Sequence, residues 1–215
     1  MLEEICYTVS MQSPRYFNRF SQTDFSRGGN LPHYSQPCAT FVTFRLADSL
    51  PMEKLAEFNA EKDAWLSAHP EPWDTDTAAE YKVLFPKRLH DWLDAGSGSC
   101  ILRDGRIRHI VEECLRHFSD IRYSLYAYVV MPNHVHVLFM PYEGFDGRDI
   151  VRSWKSFSAK AINKALGREG VVWQKESYDR LVRDVVEFDN CRAYIRRNNE
   201  QLAYDVYSPA ETNRE

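Results

Sequence analysis

The amino-acid sequence predicts an α+β domain in which helices pack on an antiparallel sheet. Two apolar runs, at 123–130 and 134–140, are separated only by the turn residues 131–133, which is typical of an antiparallel hairpin. Around this hairpin, apolar residues recur at helical spacing, most clearly through 104–118 and 148–166. The chain of 215 residues is long enough for one well-buried core and short for two.

The remaining elements are predicted from local composition and periodicity. A β-branched and aromatic run at 39–46 predicts a strand, and 171–173 predicts a shorter one. Helices are expected over 51–67, 77–95 and 187–203, where apolar residues are spaced for one helix face. The sequence contains no internal repeat and no low-complexity linker.

One domain over 36–205 accounts for these elements. Residues 1–35 are polar and lack periodicity, so we expect an irregular N-terminal arm. Residues 51–95 form a helical insertion within the domain, and the polar tail 206–215 is expected to fray.

Charge is distributed unevenly along the chain. The formal net charge is −4, yet residues 48–80 contain nine acidic and two basic residues, and residues 148–183 contain nine basic and four acidic residues. The basic segment favours a local phosphate-binding surface. Two solvated helix faces of opposite charge are the more common cause of such an asymmetry, and charge alone leaves both interpretations open.

The cysteines and the apolar runs indicate the compartment. Five cysteines form no CxxC pair and no zinc-finger spacing, which favours a reduced, intracellular protein. The N-terminus lacks a signal-peptide pattern, and no apolar run approaches the roughly 20 residues that span a bilayer. We therefore expect a soluble cytoplasmic protein without a membrane partner.

Two histidines lie two residues apart in the second strand of the predicted hairpin. Strand residues alternate between faces, so His134 and His136 share one face, while Val135, Val137 and Phe139 take the other. Adjacent imidazoles suit a divalent metal ion, for which neutral imidazole is a common ligand. The pattern alone is more often a chance pair of surface or core histidines, so a metal site needs a third ligand.

The predicted last helix carries a polar pair. Phe188, Cys191 and Ile195 mark its apolar stripe, and Asn198 falls within that stripe. Tyr194 lies four residues earlier, on nearly the same face. The two residues form either a hydrogen-bonded pair in the core or a ligand beside a nucleophile, and their spacing does not choose between these interpretations.

The run 128–138, in which one hydrophobic residue separates His134 from His136, resembles the HUH signature of the single-tyrosine transposases. Further motifs in the same order are similar to those of the REP-associated tyrosine transposases, relatives linked to repetitive extragenic palindromes. These motifs are residues 30–33, residues 41–44, Trp173-Gln174 with Asp179 and Arg183, and residues 194–198. The resemblance covers about residues 30–203.

The resemblance implies a single HUH catalytic domain of the ferredoxin-like (RRM-like) type and a role for each site residue. It implies His134 and His136 as ligands of Mg²⁺ or Mn²⁺ and Tyr194 as the nucleophile. Asn198 occupies the place of the asparagine that completes the metal site in the family. The family usually has proline at the next position, where this chain has Asn199, so we expect the last helix to run on.

By the same resemblance, the protein is a single-strand DNA endonuclease and strand transferase that acts on hairpin-forming repetitive palindromes. A tyrosine joined to the 5′ phosphate would hold the cut strand and release a 3′ hydroxyl. The expected partner is single-stranded or hairpin DNA, and the expected assembly is a monomer or a homodimer.

The basic helix over 148–166 is expected to contact phosphates beside the site. Trp173 and Tyr178 are the aromatic residues that could stack on unpaired bases. Tyr178 is also the rival nucleophile, although it lies in a predicted loop. The candidate DNA-contacting residues are Arg152, Lys155, Lys160, Lys164, Trp173, Gln174 and Arg183.

Two other function classes stay open. The first is a hairpin-binding module in which catalysis has decayed, and the presence of His134, His136, Tyr194 and Asn198 argues against it. The second is a metal-dependent phosphodiesterase without a covalent step, whose activity would survive loss of the tyrosine hydroxyl.

Overall fold

A five-stranded antiparallel sheet lies at the centre of the computed structural model, which describes residues 11–21, 24–28, 31–70 and 72–206. The strands in chain order are β1 (Asp24–Gly28), β2 (Leu31–Ser35), β3 (Thr40–Arg45), β4 (Tyr123–Val130), β5 (His134–Pro141), β6 (Tyr178–Leu181) and β7 (Tyr204–Asp205). The central sheet has the order β6-β3-β5-β4-β7, and β1 and β2 form a separate hairpin. The predicted α+β class with helices on an antiparallel sheet is confirmed.

Helices cover both faces of this sheet. They are α1 (Met52–Ala68), α2 (Thr75–Lys82), α3 (Arg88–Asp94), α4 (Gly105–Arg116), α5 (Gly147–Ala165) and α6 (Val185–Asn198). Helices α4 and α5 share one core cluster with the Val135 and Val137 face of β5. Helix α6 packs on the opposite face, where Phe188, Cys191 and Ile195 join a second core cluster. None of the described helices is long and apolar enough to cross a membrane.

Polar groups inside the first core are paired, as burial requires. The Trp154 indole Nε1 donates to the Tyr123 hydroxyl at 2.9 Å, and that hydroxyl donates to the Leu115 carbonyl at 2.7 Å. These bonds connect α5, β4 and α4, so the position of α5 on the sheet is specified by directional contacts as well as by apolar packing.

The helical insertion has an aromatic core of its own. Trp65 of α1 packs edge-on against Trp73 and Phe85, and it is tilted against Tyr81. Aromatic pairs in these orientations add stability beyond the area they bury. Trp92 of α3 joins this core by packing edge-on against Phe58 of α1, and the last residue of α3, Asp94, lies beside the central hairpin.

The structure corrects several predicted elements. The N-terminal arm contains the β1–β2 hairpin, where irregular chain is expected. The single helix over 77–95 is divided by a π-helical turn at Val83–Lys87, which contains a proline at position 86. Proline lacks an amide hydrogen, so the regular helical hydrogen bond cannot form at this position.

The C-terminal third also differs from the prediction. The strand over 171–173 is reduced to one bridge between Leu46 and Trp173. The expected loop after it contains β6, which pairs with β3. Helix α6 ends at Asn198 because Asn199 has an extended backbone, so the expected run to 203 is wrong even without the proline. Residues 1–10 and most of the expected tail, 207–215, lie outside the described residues.

Candidate active site

His134 and His136 meet at their Nε2 atoms. These two atoms are 3.0 Å apart, and both side chains are fully buried. The strand period places them on one face of β5, as the sequence predicts. The sequence also suggests a solvent-accessible face, and this expectation is wrong, because other parts of the chain cover both rings.

The outer nitrogens of the two rings are held by neighbouring polar groups. The His134 Nδ1 lies 2.8 Å from the Asn133 Oδ1, and the Asn133 amide donates to the Ser97 carbonyl at 2.9 Å. Since an amide oxygen only accepts, the His134 Nδ1 donates, and the Nε2 of the neutral ring keeps its lone pair. The His136 Nδ1 lies 2.7 Å from the Thr43 hydroxyl, which can accept in the same way.

This arrangement makes the facing Nε2 atoms an electron-rich pair. If both rings are neutral and donate through Nδ1, two lone pairs face each other at 3.0 Å. Such contact is favourable only if a proton is shared between the nitrogens or a cation binds both. Histidine ligands of metals are typically oriented by a second hydrogen bond at the other ring nitrogen, as in this pair. The donor set therefore fits a divalent metal ion.

Asp94 provides a third ligand group at the pair. Its Oδ1 lies 3.4 Å from the His134 Nε2, and one ligand atom each from Asp94, His134 and His136 lie within 4.8 Å of one another. Carboxylate oxygen and imidazole nitrogen together bind ions such as Mn²⁺ and Zn²⁺. The sequence gives no sign of this residue, because the packing of the insertion brings it to the site.

Tyr194 reaches the same place from α6. Its hydroxyl lies 3.5 Å from the His136 Nε2, and its ring packs edge-on against that imidazole and against Phe41. Asn198, one turn later, donates from its amide to the Tyr194 carbonyl at 3.0 Å. The predicted tyrosine, asparagine and histidine pair thus belong to one cluster.

The surroundings of Tyr194 disfavour its ionised form. The pKa of Tyr194 is raised to about 12, chiefly by burial and next by the negative charge of Asp94. A hydrogen bond from Asn198 and the positive charge of Arg197 lower this pKa in part. A phenol in this state is a weak nucleophile, and nearby positive charge would favour its anion.

Tyr178 lies closer to the site than the sequence suggests. It begins β6 and pairs with Thr43, which in turn pairs with His136. Partners across adjacent strands project on the same face of a sheet. Tyr178 therefore shares the face of the histidines, and burial raises its pKa. Its strand position corrects the predicted loop and keeps it as the rival nucleophile.

The predicted DNA-contacting residues fall in two groups. A groove of about 600 Å³ between α5 and residues 170–177 includes Arg152, Lys155, Trp173 and Gln174 in its lining. Val42 and Phe139 also line it, so it lies on the sheet face opposite the histidines. The helix α5 is therefore not beside the candidate metal site. A DNA strand that contacts both α5 and the metal site must pass around an edge of the sheet. The other predicted residues, Lys160, Lys164 and Arg183, are exposed outside this lining.

Two residues of this groove are less available than expected. Trp173 is 5% exposed, packs edge-on against Phe44 and donates from its indole to the Ser158 hydroxyl at 2.9 Å. Its ring is part of the core, and a base could stack on it only after these contacts opened. The Lys155 ammonium donates to the Lys175 carbonyl at 2.7 Å, and burial lowers its pKa to about 8.

Comparison with known proteins shows which class of protein this stretch of the chain resembles. Residues 101–198 match the family model described as transposase IS200 like, and this stretch contains His134, His136, Tyr194 and Asn198. This part of the chain is therefore similar to the IS200-like transposases, and the resemblance inferred from the motifs is confirmed at that level.

Two solved structures are similar to the chain. The first is a REP-associated tyrosine transposase bound to a REP hairpin, with 17% identity and a TM-score of 0.38 over 76% of this chain and 67% of that chain. The second, from Deinococcus radiodurans R1, is assigned as a transposase and has 13% identity and a TM-score of 0.35 over 80% and 97% of the two chains. No curated protein is significantly similar to the chain.

Proposed function

We propose that this protein is a single-strand DNA endonuclease and strand transferase of the HUH type, with Tyr194 as its nucleophile. The observation that carries the proposal is the distance of 3.5 Å between the Tyr194 hydroxyl and the Nε2 atom of His136. A phosphate bound at the facing imidazoles would thus lie next to a phenol oxygen. The IS200-like transposase match over residues 101–198 supports the same reaction class.

The residues have separate roles in this reaction. His134 and His136 would hold Mg²⁺ or Mn²⁺, oriented by the Asn133 amide and the Thr43 hydroxyl, and Asn198 is a further candidate ligand. A divalent cation, when bound, supplies Lewis-acid stabilisation of charge on the scissile phosphate. Mn²⁺ accepts nitrogen ligands more readily than Mg²⁺ does, so we expect higher activity with Mn²⁺.

The chemical step forms one bond and breaks one. The Tyr194 oxygen attacks phosphorus and joins the 5′ phosphate, while the bond from phosphorus to the 3′ oxygen breaks. The phenol loses its proton, and the departing 3′ oxygen gains one. The phosphotyrosine retains the energy of the phosphodiester, so a second 3′ hydroxyl can reverse the step and rejoin strands without ATP.

The motif resemblance to the REP-associated tyrosine transposases supports hairpin-forming palindromes as the substrate. We expect the protein to bind the paired stem of such a palindrome and to act on adjacent single-stranded DNA. The groove beside α5 is a candidate surface for the stem, and the histidine face on the other side of the sheet would receive the cut strand.

The proposal is tested with hairpin oligonucleotides that have single-stranded flanks and a label at the 3′ end. With Mn²⁺ we expect cleavage and transfer of the labelled fragment to the protein, because that fragment carries the 5′ phosphate. Cleavage without any labelled protein would instead indicate a metal-dependent phosphodiesterase. Binding without cleavage would indicate a hairpin-binding module.

The exposed lysines of α5 are expected to contribute to DNA affinity by neutralising phosphates. Reversing Lys160 and Lys164 to Glu should weaken hairpin binding and reduce the slope of log affinity against log salt by about 0.7–0.9 for each phosphate that the variant no longer neutralises. Fluorescence anisotropy between low and moderate salt measures this slope. The matched control reverses Lys54 and Lys87 in the acidic insertion and should leave the slope unchanged. Equal slopes for the α5 variant and the unmodified protein would place the DNA elsewhere.

A further inference from the structure

The helical insertion contacts the candidate active site through a single carboxylate. Asp94 is the last residue of α3, and its Oδ1 lies 3.4 Å from the Nε2 of His134. The family match begins only at residue 101, so Asp94 lies outside the matched stretch. The insertion therefore adds a charged group to a site whose histidines and tyrosine lie within the matched stretch.

The position of this carboxylate is unfavourable unless a cation compensates it. The C-terminus of a helix carries partial negative charge, and an acidic residue there is destabilising. Among the residues whose side chains are described, no lysine or arginine forms an ion pair with Asp94, and its charge raises the pKa of Tyr194. The carboxylate also faces the imidazole pair described above, where the ring nitrogens already present lone pairs. Three electron-pair donors thus converge with no side-chain cation among them.

Two of the three separations match those expected for ligands of one ion. Ligands about 2.1 Å from a shared ion lie about 3.0 Å apart at right angles and about 3.4 Å apart at the tetrahedral angle. The separation of the two Nε2 atoms is 3.0 Å, and that of the Asp94 oxygen from His134 is 3.4 Å. A cation among these atoms would offset the lone-pair repulsion and the charge at the helix end together.

We propose that Asp94 is a metal ligand together with His134 and His136, so that the insertion completes the metal site. This inference rests on the proposed function, because it takes the histidine pair to bind the ion. A carboxylate makes the ligand set harder and adds a negative charge, which strengthens binding of Mn²⁺ and Mg²⁺. It also couples the ion to the fold, since metal binding would hold the end of α3 against β5.

The test compares Asp94→Asn with Asp91→Asn in the full chain. Both substitutions remove one negative charge from α3, and Asp91 pairs with Lys87 at 2.7 Å on the surface. Isothermal titration of the metal-free protein with Mn²⁺ should give an affinity at least about tenfold weaker for Asp94→Asn, and within about twofold of the unmodified protein for Asp91→Asn. Hydrogen exchange of residues 88–94 should slow on adding Mn²⁺ to the unmodified protein but not to Asp94→Asn.

Each other outcome overturns the inference. Mn²⁺ affinity unchanged by Asp94→Asn shows that the carboxylate is not a ligand, while the proposed metal site of the histidines stands. Equal weakening in both variants shows a long-range effect of charge. If the unmodified protein binds neither Mn²⁺ nor Mg²⁺, the metal role in the proposed function fails together with this inference. Asparagine is acceptable at a helix end, so the folded state should survive the substitution.

Discussion

Tyr194→Phe is expected to abolish the covalent protein–DNA product while hairpin affinity stays within a few-fold of the unmodified protein. The substitution removes one oxygen, keeps the ring that packs against His136 and Phe41, and so should cost little stability. Without that oxygen no phosphotyrosine can form. Cleavage and the labelled protein band should therefore vanish together in a gel assay with Mn²⁺.

Tyr178→Phe is the matched control for this experiment. Tyr178 shares the sheet face of the histidines, and burial raises its pKa as it does for Tyr194, so the two substitutions remove similar groups. We expect the covalent band to persist in Tyr178→Phe. A band that is lost with Tyr178 and kept with Tyr194 would show that the other tyrosine is the nucleophile. If the covalent band persists in both variants, neither tyrosine is the nucleophile.

His136→Ala and His134→Ala are each expected to reduce cleavage below about 1% of the rate of the unmodified protein, because each removes a ligand of the proposed ion. Both rings are fully buried and hydrogen-bonded, so truncation should also lower the free energy of unfolding by about 1–3 kcal/mol. Cleavage rates and thermal unfolding of the same preparations separate the two effects.

Thr43→Val tests the same site by a milder change than the histidine variants. It keeps the shape of the side chain and the His136 ring but removes the hydroxyl 2.7 Å from the Nδ1. Loss of such an orienting group typically lowers metal affinity or activity by about 10–100-fold. If either histidine variant cleaved DNA at the rate of the unmodified protein, the assignment of the histidines as metal ligands would be wrong.

Much of the fold could be predicted because local patterns coincide with the tertiary structure. The two runs of the hairpin appear as β4 and β5 in antiparallel register, with Val129 opposite His136. The shared face of His134 and His136 depends only on the strand period. The spacing of Tyr194 and Asn198 likewise depends only on the helix period. These relations within one strand or one helix hold regardless of how that element packs against the rest of the protein.

The features that were missed depend on contacts between distant parts of the chain. Strand β6 contains Asp179 and Arg180, charged residues that weaken a strand signal, and it forms at the sheet edge by pairing with β3. The burial of the histidines and the position of Asp94 beside His134 depend on how the insertion packs, and no local sequence pattern specifies that packing. The placement of α5 opposite the histidines follows from which face of β5 its apolar stripe covers.

The most direct test of the account is mass spectrometry of the covalent complex formed with a hairpin oligonucleotide and Mn²⁺. After nuclease and trypsin digestion, the two candidate tyrosines fall in separate peptides, 193–196 and 176–180. The account predicts a nucleotide attached through its 5′ phosphate to Tyr194 in the first peptide. A nucleotide on Tyr178, or cleaved DNA with no modified peptide, would contradict it.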